Sequence, residues 1–125
     1  MMDREVFKEK FREEMFNPSY NDKKIREIID KFVRYTDANN GNISTIYNAD
    51  NLIIVQEELF ELGKEISKII SGNINYIGLI ENMADNYLGI MYLQRLFHIS
   101  NEELQAAMMV KMNKLEDEIN NGEYK

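Results

Sequence analysis

Residues 52–69, LIIVQEELFELGKEISKI, carry the clearest structural pattern in this chain. Their apolar residues recur at alternating intervals of three and four, at Leu52, Val55, Leu59, Leu62, Ile66 and Ile69. This spacing places them on one face of an α-helix and does not fit the two-residue alternation of a strand. The predicted helix covers about residues 49–71 and ends at Gly72, a residue typical of helix C-termini.

Four further segments show the same helical spacing, at about residues 3–16, 21–36, 75–97 and 100–121. The first ends before Pro18, because the residue preceding a proline is driven out of the α region. The last begins with a capping box formed by Ser100 and Glu103. Between the second and third helices, residues 36–47 are rich in Asn and Gly and predict a loop, either a mobile surface loop or a binding loop. Within it, residues 42–47 are the only candidate strand. The sequence therefore predicts an all-α helical bundle of about five helices.

Length and composition limit the class of protein. The 125 residues are enough for a single domain, and scaling laws give about 7,000 Å² exposed when folded against roughly 21,000 Å² for the extended chain. The absence of Cys excludes disulfides and thiolate sites, and the single His, His98, argues against histidine-based metal sites. The composition, heavy in Ile, Asn and Lys, is typical of coding sequences of low G+C content, as in bacteria and phages.

Net charge and hydropathy limit the kinds of partner that this chain could bind. A net charge of -7 makes this chain a poor candidate for direct nucleic-acid binding, which depends on basic residues. No apolar run reaches the ~18 residues of a membrane-spanning helix, and the N-terminus lacks the apolar core of a signal peptide. We therefore expect a cytoplasmic protein without a membrane partner.

Acidic side chains border the apolar face of the third and fourth predicted helices. At 100° per residue, one stripe beside the third helix's apolar face holds Glu58, Glu61 and Glu65, and the fourth helix places Glu81, Asn82 and Asp85 in a similar position. Clustered carboxylates repel one another unless a cation lies among them, and oxygen ligands suit Mg²⁺ or Mn²⁺. The alternative is a solvated helix face, balanced by Lys64 and Lys68 at helical spacing.

Two glycines interrupt the fourth predicted helix. Gly78 and Gly89 lie about one turn either side of the Asn82 and Asp85 positions. Glycine inside a helix costs about 1 kcal/mol relative to alanine. The pattern predicts that another group approaches this backbone closely.

The same acidic segments resemble a known family. Residues 56–62, QEELFEL, are similar to the EExxE signature of the MazG-like nucleoside triphosphate pyrophosphohydrolases, in the all-α NTP pyrophosphatase superfamily. Residues 80–85, IENMAD, stand where the family has its ExxD signature, and the tail is similar at residues 97–100 and 111–114. The likeness covers about residues 48–119. It implies a four-helix core over residues 48–121, completed by homodimerisation, and leaves residues 1–47 as an N-terminal helical extension and loop of one domain.

The resemblance also implies roles for individual residues. Four positions would ligate Mg²⁺, namely Glu58, Glu61, Asn82 and Asp85, with Glu58 or Glu61 orienting the attacking water. Asn82 replaces a Glu of the family, and the neighbouring Glu81 is a substitute ligand that could swing in. The phosphates would meet Lys111 and Lys114 on the last helix. The candidates for the base pocket are Tyr47, Met83, Asn86 and Tyr87, with core packing the alternative for Tyr87 and Met83.

Three functions stay open. The first is Mg²⁺-dependent hydrolysis of a (d)NTP or related nucleotide to the monophosphate and pyrophosphate. The second is a catalytically impaired relative that binds or sequesters a nucleotide, since an amide at Asn82 brings neither charge nor basicity. The third is a helical interaction protein without a small-molecule site.

Overall fold

The computed structural model describes residues 2–40 and 49–122, with the side chains of residues 2–34 and 52–122. This part of the chain contains five α-helices and no strand, which confirms the all-α prediction. The helices are α1 (Arg4–Phe16), α2 (Asp22–Asn40), α3 (Ala49–Ile70), α4 (Tyr76–Phe97) and α5 (Asn101–Asn120). None of these described helices combines the length and apolarity needed to cross a bilayer.

The helix ends follow the predicted local chemistry. The backbone N–H of Glu103 donates to the Ser100 hydroxyl while the Glu103 carboxylate accepts from the Ser100 N–H, so the predicted capping box is present. After α3, Gly72 takes a φ of +95°, and the Asn73 N–H bonds back to the Lys68 carbonyl at 2.8 Å. This left-handed turn is open to glycine at little steric cost, which explains the stop there.

One helix boundary differs from the prediction. The spacing predicts that α2 ends near Thr36, whereas the helix continues to Asn40. No Pro or Gly interrupts residues 36–40, and Asp or Asn costs a helix only a few tenths of a kcal/mol, about 0.7 at most, per position. The rest of the predicted loop, including the candidate strand at residues 42–47, lies outside the described residues.

The fourth helix is the centre of the packing. α3 and α4, joined by residues 71–75, pack along each other as a helical hairpin, and α2 and α1 contact α4 as well. Phe32 of α2 meets Tyr92 of α4 edge to face, with ring centroids 5.8 Å apart. Nearby, Arg95 Nε lies 2.5 Å from Asp30 Oδ1. These contacts fix α2 on α4, one of the two helices that carry the acidic segments.

The single chain has a small core. In the described part, Val33 and Tyr92 are the apolar residues that count as buried, and no side chain there is fully enclosed. The exposed surface is 10285 Å², against the roughly 7,000 Å² expected for a compact monomer of this size. The predicted burial of two thirds of the extended surface is therefore not reached by one chain alone.

The C-terminal helix contributes most clearly to this surplus. Over the described residues, α5 shares no extensive packing surface with any other helix. Leu104 and Leu115 are half-buried, but five of its other apolar residues stay more than half exposed, namely Met108, Met109, Val110, Met112 and Ile119.

Candidate functional site

Glu58 and Asp85 face a common cavity between α2, α3 and α4. The cavity has a volume of about 420 Å³, within the usual range for small-molecule sites. Apart from these two carboxylates its wall is largely apolar, with Ile25 and Ile29 from α2 and Leu88 from α4. No described basic side chain forms an ion pair with either carboxylate. We call Glu58 and Asp85 the open pair.

The open pair is electrostatically unfavourable when both groups are ionised. Burial raises the pKa of Glu58 above its ordinary value, and the charge of Asp85 raises it further. Burial also raises the pKa of Asp85, the charge of Glu81 adds to this rise, and Arg4 offsets part of it. Two partly desolvated carboxylates that repel each other are stabilised by a nearby cation.

Asn86 ties the two helices together beneath the open pair. Its Nδ2 donates to the Asn82 carbonyl at 2.7 Å and to the Glu58 carbonyl at 3.1 Å. The residue is buried, and its Oδ1 has no partner among the described residues. Because one of these bonds joins α4 to α3, Asn86 fixes the backbone of Glu58 relative to α4.

Two other acids of the same helices are already neutralised. Glu81 Oε1 lies 2.5 Å from Arg4 Nε, and Glu65 Oε1 lies 3.9 Å from Arg4 Nη1. Lys68 Nζ adds a second cation 3.7 Å from Glu65. Glu65 and Glu81 are 5% and 9% exposed, so the Arg4 guanidinium provides a counter-charge for carboxylates that water barely reaches. We call Glu65 and Glu81 the paired acids.

The predicted close approach to α4 at its two glycines is confirmed. A Cβ at position 78 would collide with Arg4 Nη1. A Cβ on Gly89 would stand 3.3 Å from Val55 Cγ1 and 3.5 Å from Glu58 Oε2. Gly78 therefore leaves room for the Arg4 guanidinium, and Gly89 leaves room chiefly for Val55, with the Glu58 carboxylate at ordinary van der Waals distance.

The structure brings only part of the predicted metal set together. Glu61 is bound by Lys64, whose Nζ lies 3.1 Å from Glu61 Oε1. Glu81 is held by Arg4, and Asn82 is buried with its carbonyl bonded to Asn86. Across the described residues, no group of three or more His, Cys, Asp or Glu side chains has the arrangement of a metal site.

The donor chemistry of the open pair nevertheless fits the predicted ion. Mg²⁺ in phosphate-processing sites commonly takes one or two carboxylates from the protein and fills the rest of its shell with water and substrate oxygens. Glu58 and Asp85 supply two such oxygen donors on one cavity wall, and their mutual repulsion is relieved by a cation. A site that needs three protein carboxylates is not formed by the described chain.

Of the predicted substrate contacts, Asn86 directly follows Asp85 and donates to the Glu58 carbonyl, whereas Lys111, Lys114 and Tyr87 do not line the cavity of the open pair. Lys111 and Lys114 are exposed on α5, where Lys114 Nζ lies 3.9 Å from Glu118 Oε1. Tyr87 is 69% exposed and lines a second cavity of about 550 Å³, together with Tyr20. Met83 is 46% exposed, so the core-packing alternative for Met83 and Tyr87 is wrong within a single chain. Tyr47 lies outside the described residues.

Sequence reasoning missed Arg4. It is the first residue of α1, where Asp3 caps the helix by accepting from the N–H groups of Glu5 and Val6. The available signal was Gly78, which predicted a close neighbour without saying which one. An approaching group from 74 residues earlier in the chain cannot be identified from local spacing, because that contact depends on how α1 docks.

Comparisons with protein-family models, with curated proteins and with solved structures gave no match to this chain. A function therefore has to be inferred from the residues of the chain itself.

Proposed function

We propose that this protein is a Mg²⁺-dependent nucleoside triphosphate pyrophosphohydrolase of the MazG-like type. The observation that supports this most directly is the open pair, two carboxylates with raised pKa values on the wall of a cavity large enough for a small ligand. The signature-like spacing of residues 57–61 and 81–85 supports it independently. The products would be a nucleoside monophosphate and pyrophosphate.

The roles of the chain's own residues follow from their surroundings. When bound, Mg²⁺ would neutralise phosphate charge and lower the pKa of an attacking water. Glu58 and Asp85 would hold the ion, and the apolar wall would receive the nucleoside. Glu58 is better suited than Glu61 to orient the water, because its pKa is raised whereas Glu61 is bonded to Lys64. Asn86 would act as a positioning residue through the Glu58 carbonyl.

The proposal includes a homodimer. A chain of this size that exposes 10285 Å² has apolar surface left to bury, and a stable interface of roughly 800 Å² per partner is well within that surplus. Partner helices would complete the four-helix core that the resemblance implies. They would also give Lys111 and Lys114, which one chain leaves in solvent, a route to the phosphates bound by the other.

A nucleotide-binding protein without turnover is the second candidate, and Asn82 favours it. Its amide can offer an oxygen to a cation but no negative charge and no basic site. With Glu61 and Glu81 engaged by Lys64 and Arg4, few ionised ligands are left to activate a water.

Isothermal calorimetry of the purified chain with Mg²⁺ and a panel of NTPs and dNTPs tests both candidates, with released pyrophosphate assayed in the same samples. Binding with pyrophosphate release supports the enzyme. Binding without release supports the sequestering protein, and Asn82→Glu should then restore hydrolysis. No heat with any nucleotide contradicts both and favours a helical interaction protein.

A further inference from the structure

The cavity beside the open pair combines an apolar wall with two carboxylates. Its lining comes from α2, α3 and α4, and it adds Phe32 and Ile54 to the apolar residues named above. Apart from Glu58, Asp85 and the phenol of Tyr92, no ionisable residue of the described chain lines it, and none that lines it is basic. A wall of this kind is complementary to a ligand that carries positive charge at one end and carbon over the rest of its surface.

The charge of the open pair has no cation in contact with it among the described residues. Burial raises the pKa of both carboxyls, and the repulsion from a neighbouring carboxylate adds to each rise. The charge of Arg4 acts on Asp85 from a distance, but its guanidinium is paired with Glu81. An ammonium group inside the cavity would therefore relieve a repulsion that the described chain leaves in place.

The hydroxyl of Tyr92 is a further polar group whose partner lies outside the described residues. The residue is 6% exposed and lines the cavity, and its hydroxyl makes no hydrogen bond within the described chain. Buried hydroxyls in folded proteins nearly always have a partner, from the protein or from ordered water. A ligand with hydrogen-bonding groups as well as carbon therefore fits this wall better than a hydrocarbon does.

An organic ammonium ion matches the wall without additional ligands. A divalent metal ion needs about six oxygen ligands, most of which would have to come from phosphate and water at this wall. An ammonium group needs acceptors only for its N–H groups, which two carboxylates provide. Its carbon body then covers apolar surface that would otherwise face water.

We propose that the cavity between α2, α3 and α4 binds a small organic ammonium ion, with its nitrogen at Glu58 and Asp85 and its apolar body against α2. The ligand class is an amine with an aryl or branched alkyl body, protonated at neutral pH. The inference goes beyond the proposed function, because this binding needs neither metal nor nucleotide. In a hydrolase of the proposed kind the same amine would act as an inhibitor, since it occupies the wall assigned to the nucleoside.

The test titrates three probes into the full chain, without metal or nucleotide, and follows the methyl NMR signals of its Ile, Leu and Val residues. Phenethylamine carries both the charge and the apolar body. Phenethyl alcohol has the same body without the charge, and butylamine has the ammonium of a lysine side chain with less carbon. Phenethylamine should bind about tenfold more tightly than either, the ratio that one charge-assisted hydrogen bond or about two buried methylene groups provide.

Variants separate the charged and apolar parts of the wall. Glu58→Gln and Asp85→Asn should each remove most of the preference for phenethylamine and leave the affinity for phenethyl alcohol unchanged. Both remove one of two repelling charges, so the fold should survive them. Glu57→Gln is the matched control and should keep the preference, because its carboxylate is exposed and outside the cavity. Ile25→Ala should weaken both probes alike, because it removes apolar wall.

Three results would overturn the proposal. Equal affinity for phenethylamine and phenethyl alcohol would show an apolar cavity that is indifferent to charge. Equal affinity for butylamine and phenethylamine would show a carboxylate pair that takes any lysine-like cation without using the wall. Absence of methyl shifts with all three probes would show that another segment or a second copy of the chain fills the cavity. Each of these results is independent of the pyrophosphate assay, which tests the proposed function separately.

Discussion

The open pair and the paired acids lie on the same two helices, but the paired acids have cationic partners and the open pair has none among the described residues. Glu65 and Glu81 are nearly enclosed, yet Arg4 and Lys68 neutralise them. Glu58 and Asp85 are only half-buried, yet no described cation pairs with them, and their pKa values rise. The difference shows that burial alone does not raise the pKa of an acid in this chain. What distinguishes Glu58 and Asp85 is partial desolvation without an ion-paired cation, beside an apolar cavity.

The largest expected effect comes from removing one member of the open pair. Glu58→Gln should lower Mg²⁺-dependent pyrophosphate release by about 100-fold or more, because it removes a proposed metal ligand and a candidate base at once. The control is Glu57→Gln, which makes the same carboxylate-to-amide change at the adjacent exposed residue. Steady-state pyrophosphate release at saturating Mg²⁺ measures both. Equal activity in the two variants would end the distinction between Glu58 and its neighbour.

Breaking the paired acids should instead affect stability. Arg4→Met leaves Glu81 buried without its ion-pair partner and leaves Glu65 with Lys68 alone, and we expect a loss of about 1–2 kcal/mol in the free energy of unfolding. The Arg4 side chain is 40% exposed, which keeps the expected loss below that of a fully buried pair. Urea denaturation without metal measures it, with Arg12→Met as control. An unchanged midpoint would show that the ion pair with Glu81 contributes nothing.

Two glycine substitutions sharpen the comparison at smaller scale. Gly63→Ala in α3 meets no atom within 4 Å and should stabilise the chain by about 0.5–1 kcal/mol through helix propensity. Gly78→Ala, in the first turn of α4, would crowd both Arg4 and the capping Asn75 side chain, so its net effect should be smaller. Thermal denaturation of both variants in the same buffer gives the difference. A Gly78→Ala gain equal to that of Gly63→Ala would mean that Arg4 moves aside at no cost.

The smallest effect concerns pH. The folded pKa of Asp85 is raised, so its contribution to stability is fully present below the ordinary pKa and is lost as pH rises through the raised value. Asp85→Asn should therefore raise the melting temperature of the metal-free protein at pH 7. The advantage should vanish below about pH 4, where the unfolded carboxyl is also protonated. A constant advantage at all pH values would assign the effect to packing instead of ionisation.

The helices could be predicted from the sequence, whereas the division of the acids into an open pair and paired acids could not. The three-four spacing of α3, the Ser100 capping box and the Gly72 stop are local patterns, and local patterns predict local structure. The same periodicity correctly placed Glu58, Glu65, Glu81 and Asp85 at the border of the apolar face.

Which of those acids is neutralised depends on α1, a helix whose position relative to α3 and α4 cannot be read from the spacing of their residues. Arg4 reaches Glu81 only because α1 docks on α4, and α2 shapes the cavity beside Asp85 by packing on α4. Both are contacts between segments far apart in sequence. The extension of α2 to Asn40 was missed for a simpler reason, since Asn-rich stretches favour loops only weakly.

If the exposed helix α5 is covered by a second copy of the chain, the fraction of molecules with an ordered α5 depends on protein concentration. A 20-residue helix is only marginally stable in water without a packing surface, and α5 has none of any extent in the described chain. If a second copy provides that surface, ordering of α5 is a second-order process in protein concentration. A cell that makes less of the chain would then lose ordered α5 more than in proportion. Gene dosage, and not only metal or substrate, would set how many complete molecules exist.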